Sequence, residues 1–172
     1  MPSLPDPAHP IFMPTEEDWR SADWDLDVDC AYEHFYGKTV QEAERLFQKD
    51  SANYQEDLMF MPGVCLPYYL QAFMQYLVST HSEGDADGAA GFISLITSRV
   101  QDTPEDLEPI LPAVAFALRY VADHQDFYEA SEEVYGSFHE QVQALADHGL
   151  STDDESGWDE ADAEVEDEEE EV

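Results

Sequence analysis

The chain has 172 residues, 43% hydrophobic and 12% aromatic, which suffices for one domain with a solid core. It carries 41 Asp plus Glu against 6 Lys plus Arg, a formal net charge of −35. Six bases cannot neutralise a phosphate track, and so acidic a surface is repelled by an anionic membrane, so direct nucleic-acid and membrane binding are disfavoured.

Residues 1–14 hold five of the ten prolines and no periodic pattern, which predicts an irregular arm. Thr15-Glu-Glu-Asp18 reads as a helix start, with a hydroxyl cap and an acid three residues on. Asp23–Asp29 alternates strictly between acid and apolar residues. That pattern predicts an extended linker with Trp24, Leu26 and Val28 turned inward, or at most a turn of helix. Cys30–Tyr36 reads as a short helix stopped by Gly37. Thr39-Val-Gln-Glu42 is a second capping box, opening a helix to about Gln48 with Val40, Ala43, Leu46 and Phe47 on its apolar face.

Leu66–Ser79 is the clearest helix. Pro67 suits its first turn, and Gln71, Gln75 and Ser79 form one narrow polar stripe on an otherwise apolar surface, the mark of a central helix. A loop then leads to a helix ending near Val100, with Asp85 as its cap. Thr103-Pro-Glu-Asp106 is a start signal, but Pro109 and Pro112 divide the next stretch into a short turn and a helix from about Pro112 to Ala122. Phe127, Ala130, Val134, Phe138, Val142 and Leu145 step by three or four, predicting one amphipathic helix over about 125–147, closed by Gly149. The sum is an all-α fold: a single compact bundle of five to six helices over 15–149.

From 150 on the chain is an acidic tail. Residues 152–172 hold 13 acids and no base, leaving 28 acids against 6 bases, a net −22, for the rest. A run such as Glu166–Glu171 repels itself and has nothing to bury, which predicts disorder. Such a tail solubilises, tethers a basic partner, or acts as a decoy over a binding face; Trp158 is its one aromatic and a candidate contact. The opening residues have neither a basic nor an apolar signal region, no apolar run is long enough to span a bilayer, and two cysteines make no disulfide framework, so the expected location is cytoplasmic.

The chemical motifs are thin. Gly37-Lys38-Thr39 has the ending of a phosphate-binding loop, but Tyr32 stands where the first glycine belongs. Asp85-Ala-Asp87-Gly88 starts like a calcium loop, but its twelfth position is Ile96 rather than a bidentate Glu. The six histidines form no zincin or Glu-x-x-His pattern and read as surface residues. Cys30 and Cys65 lack a Cys-x-x-Cys spacing and read as packed thiols. No Gly-x-Ser-x-Gly is present, and carboxylates are too abundant for any pair to single out a glycosidase. No cofactor is implied.

Arg119 is the only charge in Pro112–Ala122. A buried arginine must be paired, so it either reaches an acid at the bundle edge or sits in a pocket and orients an anionic ligand. Arg99 and Lys38 raise the same question with less cause. Met59, Phe60 and Met61, just before the central helix, are apolar and adaptable; they read as core or as partner contacts.

Cys30-Ala-Tyr-Glu-His-Phe-Tyr-Gly-Lys-Thr39, Tyr54-Gln-Glu-Asp-Leu-Met59 and Tyr68-Tyr69-Leu70 with Ala72-Phe73 together resemble a family of small bacterial proteins sharing a domain of unknown function, over about residues 29–122. The resemblance implies a small bacterial intracellular protein and carries no catalytic residues with it.

Three functions fit. The first is a non-enzymatic binder of a basic protein, of immunity or nucleic-acid-mimic type, steered by its charge. The second is a small-molecule binder or enzyme with a pocket around Arg119, His124 and the central tyrosines. The third is a salt-adapted protein whose acidity is unrelated to its function.

Overall fold

The computed structural model describes residues 2–150. Its elements are α1 (Glu16–Trp19), α2 (Leu26–Phe35), α3 (Val40–Phe60), α4 (Leu66–Leu77), α5 (Ala86–Asp102), α6 (Leu111–Asp123), α7 (Glu132–Tyr135) and α8 (Phe138–Asp147). Short 3-10 turns cover Thr80–Ser82, Pro104–Asp106 and Glu108–Ile110. Among the described residues there is no strand. Six helices of ten residues or more make the bundle, and α1 and α7 are single turns. The expected all-α bundle is what forms. The tail, including Trp158, lies outside the described residues.

The local signals act through ordinary chemistry. Both capping boxes close: Thr15 and Asp18 bond reciprocally, as do Thr39 and Glu42. Asp85 caps α5 by accepting from Gly88 N–H at 2.9 Å. Gly37 takes φ +73°, a backbone setting that favours glycine, and so ends α2 and turns the chain into α3.

α4 is central. It packs against both α3 and α6, with Tyr69, Leu70, Phe73, Met74 and Leu77 fully buried and Gln71 and Gln75 on the half-buried stripe. Phe73 stacks on Phe47 of α3 at 4.7 Å and meets Phe92 of α5 edge-on at 5.7 Å, so three helices share one aromatic contact. The N-terminal arm is irregular up to Thr15, and Leu4 and Ile11 pack against the core.

Four expectations are corrected. The alternating segment is not extended beyond Asp25. Asp25 accepts from the Asp27 and Val28 N–H groups and starts α2, which therefore begins four residues before Cys30. Acids on alternate positions read as a strand edge, but they also fill the cap and first turn of a helix, where the dipole favours them. On a helix, alternate residues no longer share a face: Val28 is buried, while Leu26 is 82% exposed and Trp24 is exposed.

α3 continues past Gln48 to Phe60. Its backbone breaks at Asp50 (φ −161°, ψ 81°), whose carboxylate accepts from Asn53 N–H at 3.2 Å and restarts the helix. The last helix is not continuous from 125. Gln125 is buried and staples an irregular stretch: its Nε2 donates to the Ala130 and Gly136 carbonyls, and its Oε1 accepts from Phe138 N–H. Gly136 (φ +73°) and the Ser137 cap start α8 afresh, and Val134 is left exposed. Finally, only Cys65 is a packed thiol; Cys30 is exposed.

Candidate functional site

The α3–α4 corner is built by an arginine. Arg99 sits in the last turn of α5 with its side chain only 12% exposed. Its Nη1 donates to Asp106 at 2.9 Å, and its Nη2 donates to the carbonyls of Leu58, Met59 and Met61 at 3.1, 3.0 and 3.1 Å. Those carbonyls lie at the C-terminal end of α3, where the helix supplies no partners and the dipole favours a cation. Gly63 lets the turn close, because a Cβ there would overlap the Asp106 carboxylate.

The clamp divides the Met59–Met61 segment. Met61 points into the core, so its place among the candidate contacts is corrected to packing. Met59 and Phe60 face out, 45% and 48% exposed, with Val64 at 54% on the same corner. Exposed acids lie on the neighbouring elements: Glu56 one turn back on α3, Glu105 in the turn that carries Asp106, and Glu108 in the turn after it. The corner is an apolar surface held in one geometry, with its one nearby arginine fully engaged. Arg99 carried little signal in the sequence, since its partners are backbone carbonyls some 40 positions away.

Arg119 is half-buried on α6 and lines a groove of about 250 Å³ with Phe116, Tyr120, Asp123 and His124. Tyr120 and His124 stack at 4.0 Å, and the His124 Nδ1 is 2.7 Å from the Tyr120 carbonyl. Burial raises the Tyr120 phenol above its ordinary value, so it stays protonated. Among the described residues no carboxylate lies within ion-pair distance of Arg119. Asp123, one turn on, pairs with His139 at 3.5 Å. Beyond Asp123 opens a wider cleft of about 440 Å³ holding Asp126, Glu129, Glu132 and His139. Among the described residues no group of three His, Cys, Asp or Glu side chains is arranged to hold a metal ion.

Two part-buried polar clusters tie helices together. His34 on α2 bonds Asp57 on α3 at 2.7 Å, with Tyr54 edge-on to the imidazole. Burial pushes the Asp57 carboxyl up, and His34 only partly offsets this. His34 and Asp57 thus form a joint between α2 and α3. The second cluster centres on Asp85, which accepts from the Ser51 hydroxyl, and from Tyr76 at 2.8 Å. Cys65 is sealed in the core, its thiol pushed up to about 12 by burial. Lys38 offers its carbonyl to the Tyr69 hydroxyl at 3.3 Å; with Gly37 it forms a helix stop and start, not a phosphate cradle.

Compared with known proteins, the chain matches no family model, no curated protein and no solved structure.

Proposed function

We propose that this protein is a non-enzymatic binding module that engages a basic protein partner through the α3–α4 corner. One observation carries the reading. Met59, Phe60 and Val64 are exposed apolar residues on a corner whose backbone the Arg99 guanidinium ties down, with acids on the neighbouring elements. Contiguous exposed apolar residues rimmed by polar ones mark interaction surfaces, and methionine and phenylalanine suit an interface centre. The acidic rim and the −22 of residues 1–151 select a partner of opposite charge and steer its approach. A backbone already tied down loses little further conformational entropy on binding. Two unpaired cysteines fit a reducing compartment, and cytoplasmic placement is part of the proposal.

The test is affinity capture from host lysate on the full chain, on the Met59→Ser/Phe60→Ser double variant, and on Val134→Ser as a control at an exposed apolar site elsewhere. A stoichiometric basic protein retained by wild type and Val134→Ser, lost by the double variant and released by salt, is the expected result. Retention independent of Met59 and Phe60 removes the corner as the site. Capture indifferent to salt removes the charge argument and leaves the acidity as an adaptation to salt.

A further inference from the structure

The groove beside Arg119 offers chemistry that the protein-binding reading does not use. Its floor is an aromatic ladder one helical turn per step: Phe116 and Tyr120 lie near parallel at 6.4 Å, and Tyr120 and His124 at 4.0 Å. Arg119 stands beside the ladder, half-buried. This chain has 41 acids, and one of them, Asp123, is a single turn from Arg119. Asp123 nevertheless pairs with His139, and among the described residues Arg119 pairs with none. Its planar fork is suited to a carboxylate from outside. The cavity, about 250 Å³, falls below the roughly 300 Å³ at which drug-sized sites begin, which limits the ligand to about one ring.

We propose that this groove binds a small planar aromatic anion, its ring against Tyr120 and His124 and its carboxylate paired with Arg119. The ring supplies contact with the ladder and the carboxylate supplies orientation, so neither half suffices alone. The protein's distant negative charges, beyond about 8 Å, are largely screened at physiological salt; Asp123 lines the groove and opposes the anion locally, so the contacts with Arg119 and the ladder must outweigh it. The site is separate from the α3–α4 corner, and the proposal does not depend on the protein-binding reading.

The test is titration of the full chain with benzoate, followed by backbone amide NMR shifts and by saturation transfer to the ligand. Benzamide serves as the neutral ring and acetate as the ringless anion. Benzoate should saturate with a roughly millimolar Kd, in keeping with its few heavy atoms, and shift residues 116–124. Benzamide and acetate should each bind at least about tenfold more weakly, because each lacks one of the two contacts. Arg119→Gln should weaken benzoate by a similar factor, with Arg119→Lys between, since lysine keeps the charge and loses the fork. Equal binding of benzoate and benzamide to wild type overturns the proposal, and needs no variant to fold. So do equal affinity in Arg119→Gln, shifts centred on Met59 and Phe60, or no saturable shift. Shifts of residues 151–172 in Arg119→Gln without any benzoate response would assign Arg119 to the tail instead, and would also overturn it.

Discussion

Arg99 and Arg119 stand on two helices of the same bundle, Arg119 in an apolar stretch and Arg99 in a mixed one. Arg99 is buried and satisfied: one carboxylate and three carbonyls take its guanidinium, and the α3–α4 corner is fixed as a result. Arg119 is half-buried and lines a groove with Phe116, Tyr120 and His124, its head without a carboxylate among the described residues. The difference shows that flanking hydrophobicity does not measure burial of an arginine. A long side chain on an apolar helix can run its methylenes along the surface and put its charge at the edge. A residue in a mixed segment can instead be drawn inside by helix-end carbonyls that no nearby residue reveals.

Removing each guanidinium should separate the two roles. Arg99→Ala leaves the largely buried Asp106 carboxylate and three helix-end carbonyls without their partner, and should cost about 2–4 kcal/mol in urea denaturation. A loss under ~1 kcal/mol would mean that water replaces the guanidinium and the corner is not clamped. Gly63→Ala attacks the same clamp from the other side by forcing Asp106 away, and should cost about 1–3 kcal/mol. In the double variant with Arg99→Ala the two losses should fail to add, because they break one network. Additive losses would place Gly63 outside the clamp.

Arg119→Ala should change stability by no more than about 0.5 kcal/mol, as for an ordinary surface position. A loss near that of Arg99→Ala would erase the contrast and make Arg119 a structural residue.

Asp57 is the intermediate case and should give the smallest effect, seen as a trend with pH. Burial raises its folded value above the unfolded one, so the folded state holds the proton more tightly. That contribution to stability is full below the ordinary aspartate value, near 4, and is lost as pH rises through the raised folded value. Wild type should therefore gain on Asp57→Asn in urea midpoint as pH falls from about 7 toward 4. The opposite trend would mean that the folded state does not raise the Asp57 carboxyl.

Legibility followed range. Thr15, Thr39 and Asp85 each act on a backbone N–H three residues on, and each is readable as a cap. Of the candidate contacts, Met59 and Phe60 are exposed as a partner contact requires, Met61 is core, Arg119 lines a groove, and Trp158 lies outside the described residues. The stepped apolar pattern after Phe127 misled because Gln125 bonds positions up to 13 residues on, and so breaks a helix whose periodicity reads as intact.

By itself the sequence determined the helical class, the central place of α4 and the sign of the surface, because periodicity, capping and net charge are properties of neighbouring residues or of composition. Only the tertiary structure decided which arginine is buried, which face of the Met59–Met61 segment looks outward, and which histidine meets which carboxylate. Those outcomes depend on groups brought together from distant positions, where unsatisfied carbonyls and excluded water set the energies.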